Sequence, residues 1–249
     1  MSKTFEYAYF CNEDVDISIQ NISAQVSKDR NILEKYKGKL FCPECREAKL
    51  SFVSKTNKKV AHFRMTQNEH HKYGCSYIHD YATNDNVTSY IKNLTDLQIK
   101  DKLNSIMNML CKGQDNNLNK IGGLEKDRDN PMVISTSKDN ISYSLRRKSL
   151  SGWLDVDEKQ IYVFYGKVRL SVDKKKGKYG DFYVLHIKTK NKNGEWNNKV
   201  NISSSKEFCG INEEYIYRIA MIGKLRKEYM SISLLKNNSI IYEIMQEKQ

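Results

Sequence analysis

The sequence predicts an α+β protein: a module rich in cysteine and histidine at the N-terminal end, followed by a small β-barrel. Three observations lead to that class. Leu40 to Tyr77 carries thiols and imidazoles at metal-ligand spacing. From Tyr77 to Lys112, apolar residues recur at steps of three and four, the period of a helix. From about Leu150, apolar and polar residues alternate, the period of strands.

The first stretch reads LFCPECREAKLSFVSKTNKKVAHFRMTQNEHHKYGCSY. Cys42 and Cys45 form a CPEC knuckle, His62 follows after sixteen intervening residues, and Cys75 after twelve more. Two thiols separated by two residues can hold one ion while the turn folds beneath them. Three sulfurs and one imidazole complete a closed tetrahedral shell, the usual chemistry of structural zinc. The pieces LSFV and KVAHF read as strands of a hairpin with the Lys55–Lys59 run at its tip, returning His62 to the knuckle. His70 and His71 lie close enough in sequence that either can take the place of His62 or Cys75. A redox reading of CPEC is disfavoured, because no βαβ pattern follows it and the motif does not open a helix.

Residues 1–82 form this zinc-binding module. Within it, Ile22–Lys37 shows a weak helical pattern at Ile22, Val26, Ile32, Leu33 and Tyr36, and reads as decoration outside the core. Residues 83–112 form a helical bridge to the second half, expected to pack on the zinc module. Val87, Ile91 and Leu94 mark one helix, and Leu103, Ile106, Met107 and Leu110 mark another. Asp85 or Asn86 can cap the first, and Thr95 with Asp96 can open the second. Residues 113–149 read as a linker, punctuated by GQDNN, IGG and KDRDNP, with one short strand at Met132–Ile134.

Residues 150–249 read as the barrel. In Ile161–Val172, Tyr162, Phe164, Val168, Leu170 and Val172 share one face, while Tyr165, Lys167, Arg169 and Ser171 share the other. Gly166 suits a bulge in a long first strand. Further strands fit Phe182–Lys190 and Lys199–Ser203, then a short helix at Asn212–Tyr217, then Arg218–Arg226, Tyr229–Leu235 and Ile240–Met245. Three strands, a helix and further strands resemble the order of the OB-fold, whose second and third strands commonly hold oligonucleotides, while a plain antiparallel sandwich and an Sm-like or SH3-like barrel are the alternatives.

Charge sharpens that expectation. The chain of 249 residues has 42 Lys and Arg against 30 Asp and Glu, a net charge of +12. Such an excess favours polyanionic partners. Between Lys159 and Lys206 stand eleven Lys and one Arg against Asp173, Asp181 and Glu195. Aromatic residues are interleaved with them. Cations that track a backbone and rings that stack on bases are the two parts a single-strand binder needs. Tyr165, Lys167, Arg169, Phe182, His186, Lys188, Lys190 and Trp196 are therefore the candidate contacts with single-stranded DNA or RNA.

The order of CPEC, AHF and a cysteine opening a helix resembles the N-terminal zinc-binding segment of competence protein CoiA-like proteins. There a strand hairpin precedes the knuckle, and a His-Phe pair lies before the last ligand. Tyr7–Ile19, with Asn12–Asp14 at its turn, matches that hairpin here. Met65 departs from the pattern, which often has a second His at that point. The resemblance covers the front of the chain and implies a nuclease second half, in which an Asp and a Glu-x-Lys or Glu-x-Gln pair hold a divalent ion. The nearest match is Leu154–Asp155–Val156, but the strand after it has no carboxylate. The next strand reads His186-Ile187-Lys188, with His in the acidic position. Without a second carboxylate a Mg²⁺ ion lacks its oxygen cage, so no catalytic residue is assigned.

Of six cysteines, Cys11, Cys111 and Cys209 have no paired spacing, which argues for a reducing compartment. MSKTFEYAYF has no secretory h-region, and no apolar run is long enough for a membrane span. The expectation is a cytoplasmic, non-enzymatic nucleic-acid binder with structural Zn²⁺, whose zinc module is available to a protein partner. A divergent metal-dependent nuclease is one alternative. A protein-binding adaptor or inhibitor from a mobile element is another.

Overall fold

A computed structural model of the chain describes residues 3–57, 59–112, 130–136, 141–178, 180–191 and 193–245. It divides into two compact units. Of the described residues, the first draws on those up to 80, on 130–133 and on 142–144, and the second on 81–112, 134–136, 141 and those from 145 onward. No helix among the described residues is long and apolar enough to cross a membrane. Of the expected linker, residues 113–129 and 137–140 lie outside the described residues.

The first unit is built on one sheet. Its strands are β1 (Thr4–Phe5), β2 (Tyr7–Phe10), β3 (Val15–Ser18), β4 (Leu40–Phe41), β5 (Lys49–Val53) and β6 (His62–Met65). They lie in the order β1-β6-β5-β4-β2-β3, each pair antiparallel. The hairpin expected near Tyr7–Ile19 is β2–β3, and LSFV pairs with the His-Phe strand as β5–β6. Between β3 and β4 run α1 (Ile19–Lys28) and α2 (Ile32–Tyr36). The Ser18 hydroxyl caps α1 by accepting from the Asn21 amide at 3.1 Å. These helices are more than decoration. Ile22 and Tyr36 are fully buried with Phe10, Leu40, Leu50 and Phe63 in one core. A single apolar position per turn sufficed, because the sheet supplies the rest of that core.

Asp16 on β3 is a cost in this unit. Its Oδ1 is shut off from solvent without a hydrogen-bond partner. Burial pushes its carboxyl up from 3.8 to about 6, against the opposing pull of Arg46. The folded chain therefore keeps a proton that the unfolded chain releases between those values, and stability falls as pH rises through that window. Asp16→Asn is expected to remove that slope and to stabilise the unit by about 2 kcal/mol at neutral pH. Thermal melts of both proteins at pH 4 and pH 7 check this, and an unchanged slope in the variant contradicts it.

The second unit contains α3 (Asn84–Asn93), α4 (Asp96–Lys112), β9 (Arg147–Ser149), β10 (Tyr162–Gly177), β11 (Gly180–Lys190), β12 (Trp196–Ser204), β13 (Tyr217–Arg226), β14 (Ser231–Leu234) and β15 (Ile240–Ile244). Strands β7 (Val133–Ser135) and β8 (Ser142–Ser144) precede β9 in the chain. The Thr83 hydroxyl, rather than Asp85 or Asn86, caps α3. At α4, Thr95 and Gln98 form a reciprocal capping box, at 3.3 Å and 2.9 Å. Both helices belong to the barrel's unit, where α4 packs against β10, β13 and β15. They do not stand apart as a bridge.

The barrel closes with five strands. β10 pairs with β11, β11 with β12, β14 with β13 and β13 with β10, all antiparallel, while β12 meets β14 in parallel at Asn201 and Ser231. β10 serves two partners: residues 162–168 pair with β13 and residues 169–177 with β11. Gly166, at φ +157°, pairs with Ile219 and lies two residues before the changeover between Val168 and Arg169. β13 is equally divided, with its first half on β15 and its second on β14. At Gly223 the strands come so close that an added Cβ would stand 2.4 Å from the Ser233 carbonyl oxygen. Phe164, Val168 and Leu170 of β10, with Leu185, Ile187, Val200, Ile202, Tyr217, Ile219 and Met221, fill the interior. The helix expected at Asn212–Tyr217 is not formed. That segment is a turn, held when the Asn212 amide donates to the Tyr217 hydroxyl at 2.7 Å.

Candidate metal centre and barrel face

Cys42, Cys45, His71 and Cys75 converge in the first unit, with their donor atoms all within 4.8 Å of one another. The knuckle turn brings the first two together. The Cys42 amide donates to the Ala48 carbonyl at 2.8 Å, and the Arg46 amide returns to the Cys42 carbonyl at 2.9 Å with Arg46 at φ +58°. Cys75 ends an irregular stretch just before the 3₁₀ turn Ser76–Ile78. His71 is set by packing: its ring stacks on Tyr77 at 5.6 Å and lies 5.8 Å from Phe5.

The spacing suits a tetrahedral ion. Metal–sulfur bonds of about 2.3 Å and a metal–nitrogen bond of about 2.0 Å place sulfurs about 3.8 Å apart, and sulfur and nitrogen about 3.5 Å apart. Cys42 Sγ and Cys75 Sγ are 3.9 Å apart. His71 Nδ1 is 3.5 Å from the sulfurs of both Cys45 and Cys75. These four side chains can hold a metal ion.

Without a cation the three thiols do not titrate alike. Burial pushes the Cys42 thiol up. The Cys42 and Cys45 sulfurs beside Cys75 push its thiol up as well. Cys45 is drawn strongly down by hydrogen bonds from Cys42 and Cys75. A bound cation would favour the thiolate form of all three, because metal-coordinated thiols are deprotonated.

The fourth donor departs from the sequence reading, which put His62 there. His62 lies on β6 beside Phe63, which is fully buried. Successive side chains of a strand point to opposite faces, so the inward Phe63 turns His62 away from the core that holds Cys42. Its Nδ1 lies instead 3.0 Å from the Val60 carbonyl. The useful signal was a different one. His71 stands four residues before Cys75 in a stretch without strand alternation, where the chain is free to curl both donors onto one ion. His70 beside it is exposed.

On the barrel, the candidate contacts divide. Arg169 and Lys188 are cross-strand partners on β10 and β11, and Lys190 pairs with Trp196 on β12. All four share the outer face of β10–β12. The Arg169 guanidinium lies 5.1 Å from the Trp196 ring centroid, and the Lys190 ammonium 5.4 Å from it. His186 is on the same face but engaged, 3.1 Å from Asp173 Oδ2 and 2.8 Å from Asn201 Oδ1. Lys188 reaches Glu213 at 3.9 Å. Lys167 stands apart, opposite Arg218 in the β10–β13 half of its strand. Phe182 lies toward the end of the β10–β11 hairpin, against Gly177.

Tyr165 is a correction. It occupies the outer face as expected, yet it is only 5% exposed and is not available to a base. At this half of β10, Val163, Ala220 and Ile222 are buried too, and the Leu150 amide donates to the Tyr165 carbonyl at 2.8 Å. An exposed ring that the pattern did not reveal is Tyr229, in the turn between β13 and β14. The next residue, Met230 at φ +42°, accepts from the Asn201 amide at 2.9 Å, which ties that turn to the edge of β12.

The carboxylates near the barrel are dispersed. Asp155 pairs with Lys227 at 3.6 Å, Asp157 accepts from the Lys159 amide, and Glu158 accepts from the Lys227 amide. Among the described residues, the barrel gathers no group of three Asp, Glu, His or Cys donors. An open cleft of about 630 Å³ lies between Val172, Lys174 and Tyr183 on one side and Glu207, Phe208 and Ile211 on the other. Compared with family models, curated proteins and solved structures, the chain shows no significant match to any.

Proposed function

We propose that this is a non-enzymatic, cytoplasmic protein that holds single-stranded DNA or RNA on the outer face of β10–β12, with a structural zinc ion at Cys42, Cys45, His71 and Cys75. The observation behind the binding role is the convergence of Arg169 and Lys190 on Trp196, with Lys188 beside Arg169 on the same face. A strand laid across this face would place phosphates against the three cations and a base against the indole. We read the barrel as OB-like. Its first strand closes against the fourth and its third runs parallel beside the fifth, and the proposed face spans the first three strands, with Lys188, Lys190 and Trp196 on the second and third. The turn between the third and fourth strands, where such barrels often carry a helix, is the departure.

Zinc is the reading for the metal because a closed shell of three thiolates and one imidazole suits a soft, tetrahedral, redox-inert ion. The hairpin, knuckle, His-Phe strand and final cysteine keep the order that resembles CoiA-like proteins, although the His of the His-Phe pair is not a donor.

Fluorescence anisotropy of a labelled single strand, titrated across salt concentrations, tests the binding role. Affinity is expected to fall linearly with salt on a log–log scale, and Arg169→Ala or Lys190→Ala is each expected to reduce the slope by about 0.7. A dissociation constant that ignores salt, or an absence of binding, overturns the reading.

A further inference from the structure

Glu44 lies inside the CPEC knuckle, between two of the metal donors, and its carboxylate turns toward the segment that carries the last one. It accepts from the Ser76 amide at 2.5 Å and from the Ser76 hydroxyl at 2.7 Å. It also accepts from Asn130 Nδ2 at 2.6 Å. Asn130 is only 1% exposed and comes from a distant stretch of chain. Its second amide hydrogen goes to the Gly74 carbonyl at 2.8 Å, and its Oδ1 accepts from the Met132 amide at 2.9 Å. Gly74 and Ser76 are the neighbours of Cys75 on either side. The backbone before and after that donor is therefore held by two side chains in contact, one of them rooted in the knuckle.

We infer that Glu44 and Asn130 form a clamp that positions Cys75 against Cys42 and Cys45 for the metal, and that docking of residues 130–133 is coupled to metal loading. The inference rests on the metal reading above. Four donors bind one ion more tightly when less of their geometry has to be ordered on binding, and the two halves of this donor set are far apart in sequence. The knuckle orders Cys42 and Cys45 by its own turn. Cys75 has no such turn holding it to the knuckle, and the Glu44–Ser76 and Asn130–Gly74 bonds supply that link. Met132, fully buried just beyond Asn130, anchors the same segment. Coupling is reciprocal: if the docked segment strengthens metal binding, the bound metal strengthens docking by the same factor.

The test uses Co²⁺ as probe on the full chain, comparing wild type, Asn130→Ala, Glu44→Ala and Glu44→Gln, with Ile22→Val as a core control. The two alanine variants are expected to bind Co²⁺ about 10- to 100-fold more weakly. Their saturated d–d and thiolate charge-transfer bands should be shifted and weaker, because Cys75 is no longer held in place. Glu44→Gln keeps a carbonyl acceptor and should fall between Glu44→Ala and wild type. Ile22→Val weakens the module without touching the clamp and should leave the saturated spectrum unchanged. Wild-type affinity and spectrum in Asn130→Ala overturn the clamp while leaving the metal site intact. Failure of the wild-type chain to take up Co²⁺ overturns the metal reading, and the clamp with it.

Discussion

Replacing Cys42 with Ser is expected to abolish tight metal binding and to unfold the first unit. Cys42 is completely buried within the core that includes Phe10, Leu40 and Phe63. Serine offers a poor ligand to a thiophilic ion and leaves a hydroxyl among apolar groups. Structural zinc contributes about 10–16 kcal/mol of apparent binding energy in small finger modules, and that energy is folding energy. A module whose sheet includes two-residue strands at β1 and β4 has little else to replace it. Metal content per chain should fall from one to near zero, and the unfolding transition of this unit should disappear. The barrel, whose core lies wholly in the second unit, should keep its own transition. His71→Ala should behave like Cys42→Ser, whereas His62→Ala should retain its metal. A Cys42→Ser protein with full metal content and an unchanged melt would contradict this.

The second large effect is expected at Trp196. Truncation to Ala removes the ring on which Arg169 and Lys190 converge. If one base stacks there, affinity for a single strand should fall by about 1–3 kcal/mol, roughly 5- to 150-fold. The salt slope should stay as it was, since no cation has been lost. Trp196→Phe keeps an aromatic face and should recover most of the loss. The opposite signature, a reduced slope with a loss of affinity that is greatest at low salt and fades as salt rises, is expected of Lys190→Ala. Should Trp196→Ala bind as well as wild type, the ring is a scaffold for the two cations rather than a surface for bases.

Much of this was legible because strands announce their faces. Phe164, Val168 and Leu170 could be read as inward from alternation alone, and they fill the barrel. What alternation cannot show is what covers the other side. Tyr165 was rightly placed outward, but that face is buried at this half of β10, and no local pattern in 161–172 records what covers it. The metal centre shows the same limit in another form. Cys42, Cys45 and Cys75 were readable from spacing, because a knuckle is a local device. The choice between His62 and His71 depended on which way a strand residue points once Phe63 has been drawn into the core. The turn at 212–217 was mistaken for a helix because its stabilising bond, from the Asn212 amide to the Tyr217 hydroxyl, belongs to a side chain that also fills the barrel core. Glu44 and Asn130 had no sequence signature at all, since hydrogen bonds across 86 positions leave no period.

X-ray absorption at the zinc edge of the purified full chain is the most direct test of the metal centre on which this account is built. The expected shell is three sulfurs at about 2.3 Å and one nitrogen at about 2.0 Å, with one zinc per chain. The nitrogen should vanish from the spectrum of any zinc retained by His71→Ala and persist in His62→Ala. A chain without zinc, a shell with two nitrogens, or an intact shell in His71→Ala would contradict the site.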